Sequence, residues 1–130
     1  MPRALVYTSL IVPDYDEAID FFTRVLRWRV REDTPLSSSK RWVVVAPGDE
    51  GGALLLARAS TAEQEAMVGR QGAGRVWLFL HTDDIDGDMA HMRAHGVRFA
   101  GEPREEAYGR VVVFLDVWGN RWDLIQPSAR

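Results

Sequence analysis

The chain has 130 residues, no cysteine and a net charge of −3, with 46% apolar and 27% charged residues. That is enough chain to bury a real core in one domain of ordinary size, and the absence of cysteine excludes disulfides, thiolate nucleophiles, zinc–thiolate sites and iron–sulfur clusters. No run of Lys and Arg forms a basic stripe, no apolar run spans a bilayer and no signal peptide is visible, so nucleic acid and membrane are not expected partners and a cytoplasmic location is.

Residues 4–12, rich in β-branched and aromatic side chains, read as a strand. Asp14 reads as a helix N-cap, with Glu17 three residues on completing a capping box. Ala18, Ile19, Phe22, Val25 and Leu26 then recur at helical spacing, which predicts an amphipathic helix over 15–26. Strands are expected at 28–31, 41–46 and 53–57, separated by a Pro- and Ser-rich turn or mobile loop at 34–39 and a second turn at 47–52. Thr61 and Gln64 open a short helix that Gly69 should close, and the glycine-rich 71–74 segment reads as a hinge. A strand at 75–82 follows, then a helix from about 86 to 95 stopped by Gly96. The remaining strands are 97–100, 110–115 and 121–126, the last two joined by a hairpin turn at 116–120.

The order in the first half recurs in the second. Asp14 and Asp84 each follow a β-rich run and lie 70 residues apart; Gly51 and Gly119 begin two similar closing segments and lie 68 apart. Two elements recurring in one order at nearly one offset point to a duplicated module, with repeats at about 4–58 and 75–127 and a helix and linker at 60–74, all within one domain of residues 1–130.

These residues resemble the vicinal oxygen chelate superfamily, which includes glyoxalase I, extradiol dioxygenases and bleomycin-resistance proteins. The resemblance rests on Pro13-Asp14-Tyr15-Asp16, the Phe21-Phe22-x-x-Val25-Leu26 helix, Asp83-Asp84-Ile85-Asp86, His95-Gly96-Val97, and Asp116-x-x-Gly119-Asn120-Arg121-Trp122-Asp123-Leu124. It implies an α+β fold: two βαβββ modules whose mixed sheet curls into a cup, with helices on the outer face. It also implies a homodimer, a small-molecule ligand and, in many members, a divalent metal.

Metal ligands in such members sit on the first and last strand of each module. Carried over, those positions fall on Tyr7, Leu55, Trp77 and Asp123. Leu55 and Trp77 offer a metal no lone pair, a neutral phenol is a poor ligand, and one carboxylate does not hold a divalent ion. No metal and no cofactor is therefore expected. Binding or sequestration of a small aromatic or hydrophobic molecule, an antibiotic or a metabolite, is the nearer analogy.

Alternation along strands predicts what would line the cup: Tyr7, Ser9 and Ile11; Trp77, Phe79 and His81; Arg121, Asp123 and Ile125. Trp42 adds a ring from a neighbouring strand, with the reading as plain core standing beside it. Rings next to one carboxylate suit a flat apolar or cationic ligand. Arg104 and Tyr108 fall in a loop able to cover the cup. Asp123 reads equally as a structural carboxylate. His81 reads as an exposed strand-end histidine; the alternative is a glyoxalase-like lyase, isomerase or dioxygenase that uses His81 and Asp123 as an acid–base pair or holds a metal at non-standard positions. His91 and His95 read as a solvated helix face, and Asp14, Asp16, Asp84 and Asp86 as helix-terminal charges.

Overall fold

The computed structural model describes residues 2–129 and has an α+β architecture of two compact units that divide between Val68 and Gly69. The first carries β1 (Tyr7–Val12), α1 (Tyr15–Asp20), β2 (Arg29–Pro35), β3 (Arg41–Ala46), β4 (Ala53–Arg58) and α2 (Ala62–Met67). Its four strands run in the order β1-β4-β3-β2, with β1 parallel to β4 and the other pairs antiparallel. The second carries β5 (Val76–His81), α3 (Ile85–Ala94), β6 (Arg98–Phe99), β7 (Arg104–Glu106), β8 (Gly109–Leu115) and β9 (Arg121–Pro127). Its sheet runs β5-β9-β8-β6, with β7 also on β8 and β5 parallel to β9. Among the described residues no helix is long and apolar enough to cross a membrane.

Each unit buries one face of its sheet against its helix. In the first, Leu10, Val12, Val43, Val45 and Leu56 are sealed, together with Ala18, Phe22 and Val25 of the helical segment. In the second, Trp122, Leu124, Val112 and Phe114 are sealed, as are Ile85, Met89 and Met92 of α3. The caps read from sequence are present: Asp14 accepts from the Glu17 N–H at 2.8 Å and Asp84 from the Gly87 N–H at 3.1 Å. Thr61 accepts from Gln64 N–H at 3.1 Å, while the Gln64 side chain reaches back to the Ser60 N–H at 2.8 Å.

The duplication is also a duplication of register. Ser9 pairs with Leu55, and Phe79 pairs with Asp123. Phe79 lies 70 residues after Ser9 and Asp123 lies 68 after Leu55, so the two sequence echoes are one strand pairing repeated.

Four local expectations are corrected. The helix expected over 15–26 is α-helical only to Asp20; Phe21–Val25 form a wider π-helical turn, with the Leu26 N–H bonded to the Phe21 carbonyl at 3.1 Å. Phe21, Phe22 and Val25 of this turn are all buried. Trp28, expected in a strand, instead precedes β2 and packs on Phe22 at 4.8 Å between ring centroids. β2 continues to Pro35 as an exposed edge strand, where proline's missing N–H is harmless, so the turn shrinks to the residues after it. Arg104 is not in a loop: Arg104–Glu106 is β7, paired with Gly109–Val111 of β8, and Tyr108 sits in the turn between them.

Candidate functional site

In the first unit, strand alternation turns Tyr7, Ser9, Trp42, Val44 and Leu55 away from the helix-side core. The Tyr7 and Trp42 rings meet edge to face at 6.1 Å, and Trp42 and Leu55 pack against buried Val44, Ala46 and Ala53. Trp42 and Leu55 also form part of the apolar floor of a cavity of about 500 Å³. Its rim is polar and basic, with Tyr15, Lys40, Arg58 and Gln64 among the lining residues. The Tyr15 hydroxyl accepts from the Arg41 N–H at 3.2 Å, and the Arg41 and Arg58 guanidiniums lie over the Tyr15 ring at 5.2 and 5.9 Å. Arg41 is held still further above its usual range by bonds to Asp33 and then Asp16, so its charge is committed to those carboxylates.

In the second unit, β9 places Asp123 between Phe79 of β5 and Val113 of β8. Asp123 is 6% exposed, and its Oδ1 is buried with no hydrogen-bond partner. A buried carboxylate oxygen without a donor is unfavourable by about 1–3 kcal/mol, so natural cores rarely hold one. Burial pushes the Asp123 carboxyl above the ordinary carboxylate range, and the positive charge of Arg104 opposes that rise. Arg104 in turn is bonded to Glu106 at 2.7 Å and held above its usual range by Glu106 first, with Tyr108 adding to it. Beside this carboxylate the Phe79 ring is 65% exposed, an unusual position for a phenylalanine in a strand.

Not every expected lining residue joins these faces. A bulge between Val76 and Leu78 takes Trp77 out of the alternation, and its ring stands edge-on to Trp122 at 6.3 Å. The period-two reading put Trp77 beside Phe79 and Asp123; a bulge cannot be seen in residue spacing. His81 is exposed at the end of β5 beside Ile125, and among the described residues no hydrogen bond joins it to Asp123. The His91 ring on α3 and the His95 ring at its C-cap lie 4.3 Å apart and tilted by 43°, with His95 Nδ1 2.9 Å from the His91 carbonyl.

The positions at which the superfamily holds a metal do not fit one here. Tyr7 is engaged with the Trp42 ring, Leu55 and Trp77 have no donor atom for a cation, and Asp123 contributes a single carboxylate. Among the described residues no three His, Asp or Glu side chains converge.

Asp116, read from sequence as part of the hairpin turn and of the closing motif, was given no side-chain role there, and the structure gives it one. Its Oδ1 accepts from the backbone N–H groups of Trp118, Gly119 and Asn120 at 3.1, 3.0 and 2.9 Å; its Oδ2 accepts from Asn120 Nδ2 and Trp122 Nε1, both at 3.0 Å. Burial raises its pKa, and bonds from Trp122 and Asn120 oppose the rise. The signal was available: an Asp four residues before Asn and six before Trp in a hairpin turn offers two oxygens to donors that close on it.

Residues 4–124 match the Glyoxalase/Bleomycin resistance protein/Dioxygenase superfamily, and the chain belongs to it. A protein of Shewanella frigidimarina with no assigned function is 49% identical over 128 residues, covering 97% of this chain and 95% of that one. The crystal structure of TnmS3, an antibiotic binding protein from Streptomyces sp. CB03234, is similar at a TM-score of 0.77 and 30% identity, covering 98% of this chain and 99% of that one. A 2-epi-5-epi-valiolone epimerase of Actinomyces sp is 26% identical over 147 residues, covering 97% of this chain and 80% of that protein.

Proposed function

We propose that the protein binds a small aromatic or hydrophobic molecule without a metal, and that the Phe79–Asp123 face of the second unit is where it does so. The observation that carries this reading is the buried, unpartnered Oδ1 of Asp123 next to an open Phe79 ring. A flat ligand stacking on Phe79 covers apolar surface, and an N–H or O–H on its edge satisfies the carboxylate in a charge-assisted bond. Val113, paired with Asp123 across β8, and Ile125, two residues along β9, extend the apolar bed, and the Arg104 cation offsets part of the Asp123 charge. The Trp42–Leu55 cavity of the first unit offers ring surface of the same kind. The likeness to an antibiotic binding protein over nearly the whole chain supports binding as the activity.

The likeness to an epimerase favours a second reading, in which Asp123 takes part in proton transfer. Its raised pKa suits a general acid or base better than an ordinary surface carboxylate would. His81, the other member of the candidate acid–base pair, is exposed at the end of β5 and holds no hydrogen bond to Asp123 among the described residues.

The two readings and the metal question separate in one thermal-shift experiment. Flat apolar and cationic aromatic compounds are run in parallel with Mg²⁺, Mn²⁺, Fe²⁺ and Zn²⁺. A ligand that binds only the native state must raise its stability. Stabilisation by aromatic compounds recovered unchanged after incubation supports binding; conversion of a compound supports the enzyme. Stabilisation by a divalent ion and by no organic compound refutes the proposal.

A further inference from the structure

A second cavity, of about 340 Å³, lies entirely within the second unit and has a different chemistry. Its wall is the loop Gly69–Gly74 with Arg75, closed by Gly119, Asn120 and Arg121. No lining residue is acidic, and three are arginines: Arg70, Arg75 and Arg121. Among the described residues outside this cavity some arginines are paired with carboxylates, while others, Arg27, Arg31, Arg58, Arg93 and Arg98 among them, are not. Arg24, Arg41, Arg104 and Arg110 all hold carboxylates within 3.3 Å. Among the described residues, Arg70, Arg75 and Arg121 hold none.

The loop is fixed in place. A Cβ at Gly69 would stand 1.9 Å from the Trp118 carbonyl oxygen, and one at Gly72 would stand 3.0 Å from the Trp77 Cβ. The Gln71 N–H donates to the Asn120 side-chain oxygen at 3.2 Å, and Asn120 is itself held by Asp116. Ala73 (φ 52°) and Gly74 (φ 86°) form a tight turn closed by the Arg75 N–H on the Gly72 carbonyl at 3.0 Å. That turn leaves the Gly72 and Gly74 N–H groups without an intraloop acceptor. Three arginines free of carboxylates and a hydrogen-bonded, glycine-rich backbone line one small concavity, and these are the ingredients of an oxyanion site.

We infer that the Gly69–Arg75 loop and Arg121 form a binding site for a phosphate group, free or carried on a small molecule. Neither Phe79 nor Asp123 lines this cavity, although Arg121 lies two residues along β9 from Asp123, and the Arg70→Gln variant tests the phosphate site apart from that face.

The test is a titration followed by ¹H–¹⁵N correlation spectra, reading the Gly72 and Gly74 amides. Potassium phosphate and glycerol phosphate are added in separate arms, each against potassium chloride at matched ionic strength. Saturable shifts of these amides with phosphate and not with chloride are expected. The stronger arm identifies the carrier. The Arg75→Gln/Arg121→Gln double substitution should weaken the affinity by about tenfold or more, the scale of losing charge-assisted donors. Arg70→Gln, at an exposed loop position, repeats the test without touching β9, and Arg98→Gln, outside the cavity, should leave affinity unchanged. Coincident phosphate and chloride titrations, or wild-type affinity in both the Arg70→Gln and the double variant, would overturn the site.

Discussion

Replacing Asp123 by Leu should make the protein more stable while removing its ligand anchor. The choice of Leu follows from the repeat: Leu55 occupies the equivalent place in the first unit, opposite Ser9 as Asp123 is opposite Phe79. The substitution removes a buried carboxylate oxygen with no donor, a penalty of about 1–3 kcal/mol. It adds apolar side chain beside Val113, Ile125 and Phe79, worth about 1 kcal/mol or more after allowing for the part of the site left open. Against this stands the attraction to Arg104, whose side chain is 48% exposed and whose nearer partner is Glu106, so its loss is at most about 1 kcal/mol. The net expectation at neutral pH is a gain of about 1–3 kcal/mol, or several degrees in Tm for a chain of this size. The sign of the pH dependence follows from burial. The Asp123 carboxyl is raised in the folded state, so its contribution to stability is fully present below the ordinary carboxylate range and is lost as pH rises through its folded value. The advantage of Asp123→Leu should therefore be small in acid and grow through and above that range. Urea unfolding followed by tryptophan fluorescence across pH measures it. A variant less stable than wild type at neutral pH, or an advantage independent of pH, would refute the reasoning.

Asp116→Ala should act in the opposite direction. It strands donors from Asn120 and Trp122 in the buried turn, and a loss of about 3 kcal/mol or more in urea unfolding is expected. Gly69→Ala should lower stability by about 2 kcal/mol or more, because its positive φ is compounded by contact with the Trp118 carbonyl; Gly74→Ala, with the same φ sign and open space, should lower it by about 1 kcal/mol. Thermal melts of the two variants side by side check the difference. Phe79→Ala should weaken binding of a stabilising aromatic compound by about tenfold while changing Tm by less than two or three degrees, since its ring is mostly exposed already. Titration calorimetry and a melt on the same sample read both quantities.

The architecture was legible because its signals are local. Asp14, Thr61 and Asp84 cap helices through side chains three residues away, and that spacing is written in the chain. The repeat was legible because a parallel pairing conserved in both units carries its offsets unchanged into register. The candidate faces were legible only where alternation held. Tyr7, Ser9, Trp42 and Leu55 fall on the side away from the helix, as do Phe79 and Asp123, because their strands are regular there. Trp77 was misplaced by a bulge, and Arg104 was taken for loop because a three-residue strand leaves too short a pattern to read. The orphaned oxygen of Asp123 and the empty hands of Arg70, Arg75 and Arg121 belong to tertiary arrangement, which no spacing encodes.

The most direct test of metal-free aromatic binding is a calorimetric titration of chelator-treated protein with the aromatic compound that stabilises it most. Saturable one-to-one binding with no ion restored, weakened at least about tenfold in the fully folded Asp123→Leu variant, is the expected result. Binding that returns only when a divalent ion is added back, or that Asp123→Leu leaves untouched, would contradict it.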